Sequence, residues 1–304
     1  MKVIAEPTTR NRGSSISIKS ILSTFYSKFI FIISFVVIIS ACSFKSVYNN
    51  LDYLIPSYVE GMVSLDDMLE EQVEQRTQVL INWHRNTQLK QYADLLRDYQ
   101  QDFGPQLTEE RVSQHMAAME SLWQPLGVKL NEEMAVLLPL LNDEQLEELF
   151  DSIDDKNEDF YDEYVDLDEA ELIEEYTDSL LENYESWLGE LTEQQEADIE
   201  KAAYRFHTSA HLRLEQRKKW QRNIREILYA DDATKIKSER LRVFFKAFNT
   251  VRTDALSDAD KANKRVIASL TVKLVHTATT DQKEHFMNKT DDYIRIFTEL
   301  AENR

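Results

Sequence analysis

Residues 42–304 hold only four glycines (Gly61, Gly104, Gly127, Gly189) and four prolines (Pro56, Pro105, Pro125, Pro139), and this scarcity of turn-formers sets the fold class. Sheets need a reversal roughly every 8–12 residues, marked by Gly, Pro, Asn or Asp. The good helix formers Glu, Leu, Gln, Lys, Arg and Ala are abundant instead. Apolar residues recur at helical spacing. One stripe is Ile199, Ala203, Phe206, Ala210, Leu214, Trp220, Ile224 and Leu228. Others run from Leu146 through Phe150 and Phe160 to Leu167, and from Ala259 through Val266 to Leu274. The expectation is all-α, as an elongated antiparallel helical bundle or long helical hairpins.

Capping boxes mark the helix starts, because a side-chain oxygen and a Gln three residues later satisfy free backbone donors. Asn142/Gln145, Thr192/Gln195 and Thr279/Gln282 share that spacing, with looser versions at Ser64/Asp67 and Ser257/Asp260. The pattern predicts helices near 48–62, 65–101, 108–123, 130–138, 142–188 (with or without a break), 192–230, 234–254, 258–277 and 280–301. Gly104-Pro105 and Pro125-Leu-Gly127 are the candidate hinges, and no domain boundary is visible after residue 42.

The N-terminus reads as an address. Lys2, Arg10, Arg12, Lys19 and Lys28 face one acid, Glu6, and the uncharged run Phe29 to Ile39 follows, then Ser40-Ala41-Cys42. A basic leader, a short apolar core and small residues at its end form a secretory signal. The run is eleven residues long, whereas a spanning helix takes about 20. An uncleaved anchor over 21–41 has the length but is interrupted by Lys28 and several Ser/Thr residues. Ile39-Ser40-Ala41-Cys42 resembles the lipobox of bacterial lipoproteins. The chain therefore divides into a signal peptide, 1–41, cleaved between Ala41 and Cys42, and a helical lipoprotein domain, 42–304, acylated on Cys42. Ser43 in place of aspartate implies the outer membrane, by resemblance to enteric sorting rules. Cys42 is the only cysteine, so no disulfide is available and stability rests on packing.

Charge is uneven. The full chain is −20, and five bases against one acid in residues 1–41 leave residues 42–304 near −24. Residues 143–185 hold twenty Asp/Glu and one base, Lys156, whereas 197–295 hold 21 Lys/Arg and 14 Asp/Glu. The simplest expectation lays the acidic helix on the basic one, with the remainder in solvent. The basic run Arg213, Arg217, Lys218, Lys219, Arg222 and Arg225 around Trp220 is a weak nucleic-acid signal, and so acidic a protein repels a polyanion over most of its surface. Nucleic acid is not an expected partner.

Catalytic signatures are absent from the sequence. It has no Gly-rich phosphate loop, no G-x-S-x-G elbow and no thiol beyond Cys42. None of the six histidines stands three residues after a glutamate, as bundle di-iron sites require. His207 and His211, four apart on an expected helix, are a possible metal pair without an evident third ligand. Asp151 to Asp168 lacks the loop glycine of a calcium site. Trp83-His84-Arg85 is the most distinctive local cluster. It reads either as a His–Arg site or as a tryptophan anchor whose neighbours bond to a facing helix or to the loop near Gln88.

Cys42, Tyr48-Asn49, Leu51-Asp52-Tyr53-Leu54-Ile55, Tyr58, Trp83-His84-Arg85, Leu89 and Tyr92-Ala93 together resemble the opening of an uncharacterised family of helical lipoproteins from gamma-proteobacteria. Lys90 stands where that family has proline, and Tyr53 where tryptophan is common. The resemblance implies localisation and fold but no reaction. Leu191-Thr-Glu-Gln-Gln195 and its two echoes are similar, more weakly, to the Leu-Thr-x-x-Gln repeats of periplasmic chaperones, although the capping box alone explains that spacing. The expectation is a non-enzymatic protein tethered to the membrane by lipid, without cofactor or small-molecule substrate, acting on a protein partner or client in a chaperone-like way. The alternative is a metal-binding or enzymatic bundle at His207/His211 or Trp83-His84-Arg85.

Overall fold

In the computed structural model, which describes residues 41–248 and 253–302, the helices follow one another with short connections. They are α1 (Ala41–Asn49), α2 (Leu51–Glu60), α3 (Asp67–Thr87), α4 (Leu89–Asp102), α5 (Glu109–Leu137) with a 3-10 turn (Leu138–Leu140), α6 (Asp143–Tyr164), α7 (Glu169–Leu188), α8 (Glu193–Ala203), α9 (Ala210–Leu228), α10 (Thr234–Phe248), α11 (Asp254–His276) and α12 (Thr280–Glu302). No strand occurs among the described residues. The fold is an all-α helical bundle.

Five apolar clusters make up the core among the described residues, three of them large. Leu188, Leu191, Ile199, Leu270, Leu274 and Phe286 join α7, α8, α11 and α12. Ala135, Phe150, Ile224, Leu228, Leu241 and Phe245 join α5, α6, α9 and α10. Tyr48, Leu89, Tyr92, Ile296 and Leu300 join α1, α4 and α12. Leu89, Leu228, Leu274 and Leu300 are each at most 1% exposed, and each such side chain stabilises by roughly 2 kcal/mol. Helix α5 bridges the first two regions, packing on α11 near Val112 and on α10 near Ala135.

Several expected helices are divided, and one expected break is missing. The 65–101 helix bends at Gln88, the single residue between α3 and α4. The 142–188 helix ends at Tyr164 and restarts at Asp168, whose carboxylate caps α7 by accepting from the Ala170 and Glu171 amides at 2.8 and 3.0 Å. The 192–230 helix breaks over Tyr204–Ser209. There the Asn263 side chain from α11 binds both backbone groups of His207: its Oδ1 accepts from the amide at 2.8 Å, and its Nδ2 donates to the carbonyl at 2.9 Å. A long-range contact has replaced two helical hydrogen bonds. Conversely, α5 runs straight through Pro125 and Gly127, so no hinge lies there. Gly104-Pro105 does sit in a turn, but a fixed one. Asp102 Oδ2 accepts from Arg111 Nε at 2.6 Å and pairs with His115 Nε2 at 2.7 Å, while Phe103 stacks on Phe286 at 4.4 Å. The caps of α3 and α11 are Asp66 and Thr253 rather than Ser64 and Ser257.

The Thr192/Gln195 and Thr279/Gln282 boxes meet. Each Gln Oε1 accepts from its own cap amide at 3.0 Å, and the two carboxamides then bond reciprocally, at 3.0 and 2.8 Å. Gln282 Nε2 also donates to the Glu190 carbonyl at 2.7 Å. Both side chains are buried, Gln195 completely. The starts of α8 and α12 are thus stitched together by one satisfied polar pair within an apolar cluster. The third box differs, since Gln145 Nε2 donates to the Ser64 carbonyl at 2.8 Å.

Gly189 ends α7 at φ +80, ψ −153, a conformation nearly confined to glycine, and an added Cβ would stand 3.3 Å from the His285 ring. Gly189→Ala is expected to cost about 1–3 kcal/mol in urea unfolding. A cost below about 0.5 kcal/mol, ordinary for a surface change, would contradict this account of the turn.

Candidate functional site

The last turn of α3 carries Trp83, His84 and Arg85, and the bend at Gln88 brings the first turn of α4 back beside it. Gln88 N–H donates to the His84 carbonyl at 2.9 Å, and Tyr92 N–H to the Gln88 carbonyl at 3.1 Å, so the residue at the break closes α3 and opens α4. This happens with Lys90 in the first turn of α4, so the family's proline is not needed to make the break. Helix α1 lies across both, which places Tyr48 and Tyr92 on opposite ring nitrogens of His84. Tyr48 OH is 3.0 Å from Nδ1, and Tyr92 OH is 3.2 Å from Nε2.

The chemistry of that arrangement follows from burial. Desolvation pushes the His84 imidazole down to about 4, so it is neutral at physiological pH. A neutral ring has one N–H and one lone pair, so one tyrosine accepts from it and the other donates to it. Desolvation also pushes Tyr48 up to about 12, against the opposing pull of Arg85, and raises Tyr92. The Arg85 guanidinium stands 5.5 Å over the Tyr48 ring and makes a long 3.5 Å contact to Asn49 Oδ1. Trp83 meets the His84 ring edge-on at 6.3 Å.

Helix α12 closes the other side. Phe44 packs edge-on against Phe297 at 5.4 Å, Tyr92 against Phe297 at 5.8 Å, and Lys45 pairs with Glu299 at 2.7 Å. Burial moves His84 down and Tyr48 and Tyr92 up, away from the neutral range in which general acid–base work is done. The arrangement instead clamps α1 to α3, α4 and α12. Within Trp83-His84-Arg85 the histidine finds its partners on the facing helix α1, at Tyr48, and at Tyr92, rather than in the loop near Gln88. Ala41 and Cys42 open the clamped helix. The leader and apolar run of residues 1–40 lie outside the described residues, and no described helix is long and apolar enough to cross a membrane.

The other candidates come apart. His207 stands in the connector before α9 and His211 in its first turn, so they do not share a helical face. No group of three or more His, Cys, Asp or Glu among the described residues is placed to hold a metal. The basic run on α9 is partly spent inside the fold. Arg213 pairs with Asp260, Arg225 pairs with Asp154 at 3.3 Å and lies 4.4 Å over Phe150, and Arg217 lies 4.8 Å over Phe160. The expected contact of basic on acidic helix therefore exists between α9 and α6.

Fold and site together define an all-α protein in which helix α1 is held by an aromatic–imidazole clamp. The chain belongs to a family of unknown function (DUF6279), whose model matches residues 62–247, well over half its length. That match contains Trp83-His84-Arg85, Leu89 and Tyr92-Ala93, and leaves Tyr48, Asn49 and the whole of α12 outside it. No curated protein and no solved structure matches the chain.

Proposed function

We propose that this chain is a lipoprotein of the gamma-proteobacterial cell envelope, exported by residues 1–41, acylated on Cys42 and held at the periplasmic side of the outer membrane. There it works through protein contacts, as a chaperone-like holder rather than as an enzyme. The observation that carries the reading is the position of the only cysteine. It follows directly on the apolar run and stands in the first turn of α1, the helix that the Tyr48–His84–Tyr92 clamp seats on the domain. A tether there transmits position to the folded body without an intervening linker.

The test is intact mass with membrane fractionation, on wild type and Cys42→Ala expressed in a gram-negative host. The expected wild-type mass is that of residues 42–304 plus acyl chains, with the protein in the outer-membrane fraction. The variant is expected to accumulate as unlipidated precursor. An uncleaved wild-type chain would replace the lipid anchor by a membrane-inserted one and remove the outer-membrane assignment.

A further inference from the structure

Helix α7 carries seven acids and no Lys or Arg, and its only fully buried residue is Leu188 in the last turn. Yet its first half has an apolar stripe, Leu172, Ile173 and Tyr176, at helical spacing. This stripe forms one wall of an open groove of about 500 Å³. Tyr164 and Val165, at the end of α6, form a second wall, and Tyr204 and Phe206, from the connector that Asn263 holds open, form the third. Phe206 packs on Tyr176 at 5.5 Å, whereas Tyr204 is 72% exposed at the rim. Half-covered aromatic and aliphatic side chains converge here on the most acidic part of the chain.

Charge selects the occupant. The bases of α9 nearest this side of the fold pair with Asp154 on α6 and Asp260 on α11, although Arg213 also acts on Tyr176 of α7. Helix α7 packs chiefly on α8 and α12. Glu175 is held above the usual carboxylate range, first by burial and then by Glu163, Asp178 and Glu182, so added positive charge is favoured there. An apolar groove rimmed by carboxylates fits a segment that alternates apolar anchors with Lys or Arg.

We infer that this groove is a docking site for a basic amphipathic segment of a protein partner, with its apolar side chains on Leu172, Tyr176 and Tyr204 and its cations on the α6–α7 carboxylates. The inference rests on the protein-contact part of the proposed function and not on the lipid anchor. Its probe is a fluorescein-labelled synthetic peptide of alternating lysine and leucine, titrated with the full lipidated protein in non-ionic detergent and read by anisotropy.

Tyr204→Ser, on an exposed side chain, and the pair Glu169→Gln/Glu175→Gln are each expected to weaken binding about fivefold or more. The charge-matched pair Glu147→Gln/Asp151→Asn, at the other end of the acidic stretch, is expected to leave it unchanged. Serine in place of the peptide's leucines should abolish binding. Equal losses in both carboxylate pairs would reduce the effect to diffuse attraction and overturn the groove. So would an unchanged Tyr204→Ser, or no binding at all. Client capture that survives Tyr204→Ser would overturn the groove alone and leave the proposed function standing.

Discussion

Gln282→Ala is expected to cost roughly 3–5 kcal/mol, an unusually large effect for removing one uncharged polar side chain. The substitution deletes the acceptor of the Thr279 amide, the donor to the Glu190 carbonyl and both bonds to Gln195. Water can replace the partner of the exposed Thr279 amide. It cannot reach Gln195, which is fully buried, and each polar group stranded in that way costs about 1–3 kcal/mol. Urea unfolding of Gln195→Ala, Gln282→Ala and the double variant gives the coupling directly. The double variant should cost clearly less than the sum, by about 1 kcal/mol or more, because each single change penalises the survivor. Additive costs, or a single cost below about 1 kcal/mol, would show the pair to be incidental. Gln145→Ala is the internal comparison, with a smaller expected loss, since its carboxamide bonds to the Asn142 amide and the Ser64 carbonyl but to no second buried carboxamide.

The second large effect is on acid stability. The His84 imidazole sits near 4 in the fold and near 6.5 when unfolded. Between those values the unfolded chain binds a proton that the folded chain declines, so stability rises with pH through the window. The contribution is complete above about pH 6.5 and is lost as pH falls towards 4, for roughly 3 kcal/mol in all. His84→Gln keeps a polar side chain but removes the titration. The difference in stability between wild type and variant should therefore shift by about that amount from pH 7 to pH 4, in the direction of wild-type loss. A difference independent of pH would mean that His84 is accessible to water and that the clamp is looser than its burial implies. Because the ring binds Tyr48 as well as Tyr92, hydrogen exchange in α1 should rise in the same window.

Helix existence was legible and helix continuity was not. Ile199, Leu214, Ile224 and Leu228 do face the core, and the three full capping boxes start helices where the spacing placed them. The breaks at Gln88 and over Tyr204–Ser209 carry neither glycine nor proline, and in the second the cause is Asn263, a side chain 56 residues away. Pro125 erred in the opposite sense. Its ring is exposed, and a proline at the surface of a long helix can be carried by the packing on either side. Trp83-His84-Arg85 stood out in sequence, but its partners did not, because Tyr48 is 36 residues distant and pairs only when α1 folds back. The groove was hidden because a break within 142–188 was left open but not located. A stripe read as one continuous buried face ran through Leu167, which lies in the connector between two helices.

The pairing of α1 with α12 has a temporal side. Phe44 and Tyr48 leave the ribosome well before Phe297 and Leu300, and Lys45 waits across 254 positions for Glu299. Contacts so far apart in sequence form late, after the intervening loop has been closed. The helix beginning at Ala41 therefore completes its docking only after α12 has been made.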